Sequence, residues 1–311
     1  MSETLIFFLL VCYLTDVFIG DPARWPHPVR IIGRTLDMLE PVLRKSGHSL
    51  KFLGFAVLFT GAFATLFSAS LLISLPFLGF IFSLYLGYAC LALGCLIHEI
   101  RKVQKLIDSG SLQEARKAIS FLVSRDTSEL NEQELYQTLA ETLSENYNDA
   151  FCAPFFYLSL LGVPWAWMYK LVSTMDSMWG YKTDKWNKLG FAGAKADDIL
   201  AYIPARLATL SMIGAAYIMN LRKNVRLSEI AVDAGRMESP NAGWTMSAGA
   251  HILGVRMGGN ASYFGEKKFK PVLGRGSEIY SSAKIDQLVS LILISSFLYA
   301  LGFIVLAAIV R

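Results

Sequence analysis

The sequence predicts an all-α, multi-pass membrane protein. Three observations carry that prediction. Of 311 residues, 54% are hydrophobic and only 17% charged, with a mean hydropathy of +0.43. The stretch 52–97 contains no Asp, Glu, Lys or Arg, and neither does 288–310. This balance is too apolar for an ordinary soluble domain, and both stretches are long enough to reach across a hydrocarbon core of about 30 Å. One membrane-embedded domain over residues 1–311 is the simplest organisation.

Four spans follow in order. Residues 5–19 form the first; Glu3 without a neighbouring cation, and Asp16 in place of a small-residue cleavage site, mark a retained helix instead of a signal peptide. The loop after it carries Arg24, Arg30, Arg34, Arg44, Lys45 and Lys51, so it faces the cytoplasm. Residues 52–75 and 77–97 make a helical hairpin broken at Pro76, and Arg101, Lys102 and Lys105 mark its return to the cytoplasm. The last span is 288–310.

Between these lie two amphipathic helices. Leu112, Ala115, Ile119 and Leu122 form the apolar stripe of one, and Leu135, Leu139 and Leu143 that of the other, which starts with Asn131 and Glu134 as a capping box. Two more apolar segments, 151–169 and 199–221, either span or are re-entrant. The first holds Pro154 and Pro164, the second Pro204 and Arg206, and a re-entrant pair would keep the polar motifs around them in one compartment. Residues 222–286 are polar and Gly-rich, with Ser239-Pro240 opening a small-residue helix that ends near Gly254.

The net charge of +4 is explained by cationic cytoplasmic loops, and no basic patch of nucleic-acid scale is present. Cys12, Cys90, Cys95 and Cys152 show no metal or disulfide spacing.

Polar chemistry concentrates between Ser144 and Arg206, where Glu145, Asp149, Asp176, Asp197, Asp198, Lys182 and Arg206 punctuate apolar runs. Carboxylates beside apolar surface are expensive unless they hold a cation or a substrate. Glu141, Glu145 and Asp149 recur at helical spacing, a repulsive stack that Mg²⁺ or a nearby cationic side chain would relieve. Asp197 and Asp198 either cap a helix start or join the other carboxylates around a divalent cation. Arg206 needs a carboxylate, with Asp197 or Asp198 as candidates, or an anionic ligand. Arg30 and Lys182 are candidate phosphate clamps, and His27 is held rigidly between Pro26 and Pro28. His251 reads as a packing histidine, and the glycines of 254–276 as turns.

The motifs D-V-F-I-G-D-P-A-R-W-P-H-P-V-R from Asp16, S-E-N-Y-N-D-A-F-C-A-P from Ser144, T-M-D-S-M-W-G-Y-K from Thr174, A-D-D-I-L-A-Y-I-P-A-R from Ala196, S-P-N-A-G-W from Ser239 and L-G-V-R-M-G-G from Leu253 resemble, in this order, the CbiB/CobD family. These are the membrane-bound adenosylcobinamide-phosphate synthases of cobalamin biosynthesis. Ser173, Lys195 and Ala201 depart from the family pattern, which has Asn, Arg and Asn there.

The resemblance implies a ligase that uses ATP and Mg²⁺ to join adenosylcobyric acid to aminopropanol phosphate, or an aminoethanol analogue, as an amide. It implies a multi-pass cell (inner) membrane protein with a cytoplasmic active site, in contact with lipid and with other cobalamin-pathway enzymes. Catalytic roles then fall to Glu145, Asp149, Asp176, Asp197 and Asp198. Of these, Glu145, Asp149, Asp197 and Asp198 would hold metal. His27, Arg30, Asn146, Lys182, Arg206 and Asn241 would hold substrate or phosphate. Two other classes fit the same polar pattern: a transporter of a corrinoid or other anion, and a scaffold that docks pathway enzymes on 111–148.

Overall fold

A computed structural model describes residues 2–22, 25–221, 225–263 and 265–310; Arg24, one of the loop cations, lies outside them. Helices α1 (Ser2–Ile19), α2 (Pro28–Lys45), α3 (Leu50–Ile73), α4 (Gly79–Ala89) and α5 (Leu93–Asp108) are followed by α6 (Leu112–Ile119) and α7 (Glu132–Tyr147), which runs into a π-turn at Asn148–Cys152. Then come α8 (Ala153–Leu161), α9 (Val163–Trp179), α10 (Phe191–Leu200), α11 (Tyr202–Ile218), α12 (Leu227–Ala234) and α13 (Ala242–Leu253). An antiparallel hairpin of β1 (Met257–Tyr263) and β2 (Glu266–Leu273) leads to α14 (Ser282–Val310).

Among the described residues, three helices are long and apolar enough to cross a membrane: Leu50–Ile73, Gly79–Asp108 with α4 and α5 taken as one, and Ser282–Ile309. They correspond to the expected spans 52–75, 77–97 and 288–310. The fourth expected span, 5–19, forms helix α1 but is not among them; its 18 residues reach only about 27 Å, short of a core of about 30 Å. A further crossing arises only if α10 and α11, interrupted at Ala201, count as one broken span.

The all-α expectation is corrected by the hairpin. Its first strand, M-G-G-N-A-S-Y, has no apolar alternation, and its pairing is irregular between Met257 and Gly259, so the glycines read as loop.

The chain divides into two compact units. The first comprises Met1–Ala92, Ala153–Ala201 and Gly302–Arg311; the second comprises Leu93–Cys152 and Tyr202–Leu301.

The first unit packs α2, α3 and α10 around α9, with Leu36, Leu58, Met168, Val172, Met175, Trp179, Leu189 and Ala192 at its centre. A Cβ on Gly190 would lie 1.7 Å from the Trp179 carbonyl oxygen, so only glycine lets the chain fold from α9 back onto α10. The run 153–169 is not one rod. It reverses at Gly162, φ +85°, and α8 lies against α9 with Tyr157 and Tyr169 stacked at 5.4 Å. At nine residues, about 14 Å, α8 is too short to cross.

The second unit is built on α7. Leu135, Leu139 and Leu143 are fully buried as their spacing predicts, but so are Thr138, Glu141 and Ser144 on other faces. Helices α5, α6 and α13 and strand β1 cover it. It is therefore a core helix rather than an amphipathic docking surface. Its start is the expected capping box: the Glu134 N–H donates to Asn131 Oδ1 at 3.0 Å, and the Asn131 N–H to Glu134 Oε2 at 2.8 Å. Asn131→Ala removes one half of this box and should lower stability by about 1 kcal/mol, read as a lower thermal unfolding midpoint in detergent with helix content unchanged.

Candidate active site

In the second unit the carboxylates of α7 are relieved by side-chain cations. Glu141, 1% exposed, pairs through Oε2 with Arg125 and accepts through Oε1 from Gln137 Nε2 at 2.8 Å and from the Gly258 N–H at 2.7 Å. One turn on, Glu145 is half-buried, and β2 brings Lys270 close enough to act on it. Burial pushes the Glu145 carboxyl above the ordinary carboxylate range. Lys270 opposes that push, and Glu141 and Asp149 add to it. Burial acts to lower the Lys270 ammonium, but Glu145 and Tyr263 outweigh it, so the lysine stays charged. Cationic side chains are thus one of the two forms of relief expected for the stack.

Asn146 donates to the Thr142 carbonyl of its own helix at 3.0 Å. Asp149 falls in the π-turn, where its Oδ1 accepts from Asn148 Nδ2 at 2.8 Å while Asn148 Oδ1 is a buried acceptor with no hydrogen-bond donor. The π-turn packs on α11, and α11 packs on α13. There the Arg206 guanidinium lies 3.3 Å from the Tyr202 ring centre and 4.6 Å from that of Trp244, and donates to the Tyr202 carbonyl at 2.7 Å and Asn241 Oδ1 at 3.4 Å. Aromatic faces and oxygens of its own unit thus surround the guanidinium. Asn241 is buried at the start of α13, where Ser239 Oγ accepts the N–H groups of Asn241 and Ala242; the helix begins at Ala242, after the proline, not on it.

The remaining assigned residues belong to the first unit. His27 is the N-cap of α2: its Nδ1 accepts the Val29 N–H at 3.3 Å, and its Nε2 is 3.4 Å from Asp21 Oδ1. With Nδ1 an acceptor, the proton of the neutral ring sits on Nε2, facing Asp21. Arg30 is exposed in the first turn of α2, and Lys182 is exposed in the loop between α9 and α10. Asp176 is half-buried in the last turn of α9. Asp197, buried, and Asp198, paired with Lys195 at 2.9 Å, lie near the C-terminal end of α10. The helix-start reading of the Asp pair is thereby corrected, since α10 opens six residues earlier, at Phe191.

Among the described residues no group of three or more His, Cys, Asp or Glu side chains is arranged to hold a metal ion. Mg²⁺ that arrives on nucleotide phosphates needs only one or two carboxylates, and Asp149 beside the undonated Asn148 oxygen fits that smaller demand.

Several partners are not legible from local sequence. Arg125 and Lys270 lie far from Glu141 and Glu145 in the chain. Asp233 accepts from His251 Nε2 and from the Gly274 N–H, both at 2.9 Å, and turns the packing histidine into half of a buried pair. At Gly276 a Cβ would meet the Gly254 carbonyl oxygen at 1.7 Å, so this glycine serves a close backbone crossing.

The family model described as CobD/Cbib protein matches residues 9–292. A protein of Listeria monocytogenes serovar 1/2a described as cobalamin biosynthesis protein CobD is 38% identical over 98% of both chains. Proteins of the same description from Photorhabdus laumondii and Citrobacter koseri are 34% and 35% identical; the matches cover 94% and 92% of this chain and 95% and 92% of theirs. No solved structure matches. With nearly its whole length matched, the chain belongs to the CobD/CbiB family of cobalamin biosynthesis proteins.

Proposed function

We propose that this protein forms an amide bond at the expense of ATP, joining the free carboxyl group of adenosylcobyric acid to the amine of aminopropanol phosphate, or of an aminoethanol analogue, to give adenosylcobinamide phosphate. The active site faces the cytoplasm. The observation that carries this reading is the end-to-end match to relatives named for cobalamin biosynthesis. The side chains of the second unit supply chemistry that suits it.

A carboxylate is a poor acyl donor. Its oxygen attacks the γ-phosphorus of ATP, releasing ADP and leaving an acyl phosphate; the amine attacks the acyl carbon, and phosphate departs. Glu145 accepts the proton that the amine loses, a role for which a carboxyl held above its ordinary range is suited. Asp149, with the Asn148 oxygen, would hold Mg²⁺, which would neutralise nucleotide phosphate charge. Arg206, fixed by Tyr202 and Trp244, receives an anionic group of a substrate, with Asn241 Oδ1 3.4 Å from its guanidinium; the same reading gives Asn146, on α7, a substrate contact. For the first unit taken by itself, the same reading assigns carboxylate roles to Asp176, Asp197 and Asp198 and phosphate-binding roles to Arg30 and Lys182. His27, whose Nδ1 caps the start of α2, stands with Arg30 in the same reading as a residue for substrate or phosphate.

The direct test is mass spectrometry of the purified protein incubated with ATP, Mg²⁺, adenosylcobyric acid and aminopropanol phosphate. The expected result is the amide product with ADP; AMP would replace the acyl phosphate with an adenylate, and no product from folded protein would overturn the reading. Glu145→Gln should slow product formation by about 100-fold or more. Lys270→Met removes the charge that holds the Glu145 carboxyl down, so the acidic limb of the pH–rate profile should move to higher pH.

Stability gives an independent check on the Glu145 environment. Between the ordinary carboxylate range and its raised folded value, the folded protein binds more protons at Glu145 than the unfolded chain, so this site makes wild-type stability fall as pH rises. Glu145→Gln lacks that term, so thermal melts from pH 4 upward, about the ordinary glutamate pKa, should show its midpoint gaining on wild type as pH rises.

A further inference from the structure

We propose that an acyl chain of a membrane phospholipid occupies the groove between α2, α3 and α9 in the first unit. The cavity has a volume of about 620 Å³ and is walled by Ile31 and Leu39 of α2, by Val57, Gly61 and Leu72 of α3, and by Leu171 of α9. This size is within the range of built small-molecule sites, roughly 300–1,000 Å³.

The hydroxyl and indole donors in its wall are already engaged. Thr35 Oγ1 donates to the Ile31 carbonyl at 2.8 Å, Thr60 Oγ1 to Ala56 at 2.7 Å, Thr65 Oγ1 to Gly61 at 3.0 Å and Ser68 Oγ to Thr65 at 3.3 Å. The Trp167 indole N–H donates to the Leu86 carbonyl at 2.9 Å. Each of these donors is spent on a backbone carbonyl, and the rest of the lining is predominantly aliphatic.

Length and continuity select a lipid over a compact apolar solute. From Val57 to Leu72 the α3 wall runs about 22 Å, against about 15 Å for one leaflet of the hydrocarbon core. Helix α3 is one of the three helices long and apolar enough to cross the membrane, and Phe59, Phe63 and Phe67 on it are 60–70% exposed. The groove lies on this same helix, so a chain can enter it sideways from the bilayer. Arg34, exposed on α2 next to the groove residue Thr35, suits a phosphate headgroup.

The test is native mass spectrometry of the full-length protein. It would be solubilised in detergent, exchanged into phosphatidylglycerol–phosphatidylcholine vesicles, and re-extracted. Wild type should keep one phospholipid through the final wash. Ala64→Phe, at an exposed groove position, should lower retention at least fivefold without changing the thermal midpoint measured in excess detergent. Thr65→Leu, a smaller change, should lower it partially and serves if the phenylalanine variant does not fold. No retained phospholipid on wild type, or equal retention on a folded variant, would overturn the proposal. A wild-type dimer lost in either variant would also overturn it, by showing that a second copy covers the groove. The readout requires no catalysis, so its failure is separable from failure of the amide synthase reading.

Discussion

Glu141 is the charge on which the second unit depends. A carboxylate in the middle of a buried helix is tolerated only when both oxygens are satisfied, and the groups that satisfy it come from three places: the loop carrying Arg125, the backbone of β1 at Gly258, and Gln137 one turn back on α7. The pairing therefore does more than neutralise. It fixes where the β-hairpin sits on α7, and so brings Lys270 to Glu145. A neutral residue at 141 would fill space but would leave the hairpin without its charged anchor.

The first unit is held by a different principle. Its centre is apolar and closely packed, and its polar residues sit at helix ends and in connecting loops: His27 before α2, Asp176 in the last turn of α9, Asp197 and Asp198 near the end of α10. Close backbone approach at Gly190 sets how α9 and α10 are joined. One unit thus carries a buried polar ladder that organises its fold, and the other carries polar groups at helix ends and in loops that an apolar core positions.

What the sequence disclosed follows from the range of the interactions. Local signals were legible: the Asn131–Glu134 box, the 135–139–143 stripe, the break near Pro76 and the long uncharged runs all reappear. The family match extends that legibility to the motif order. Long-range partners were not legible, because nothing near Glu145 announces Lys270, and nothing near His251 announces Asp233. The hairpin was missed since its glycines hide strand periodicity, and Asp197–Asp198 was placed at a helix start because its preceding turn, F-A-G-A-K-A, lacks an apolar rhythm.

The π-turn at Asn148–Cys152 changes how substitutions and gaps near the site should be interpreted. On an unbroken α-helix, Asp149 would stand directly over Glu145, but a π-turn holds an extra residue in the ring of each hydrogen bond and advances the chain out of that register. Losing one residue there would swing everything beyond it by roughly 100° about the helix axis while leaving every motif letter intact. Two relatives with identical letters but a one-residue offset at this turn would present Asp149 to different neighbours, so spacing across 145–152 is as much a marker of shared chemistry as the residues themselves.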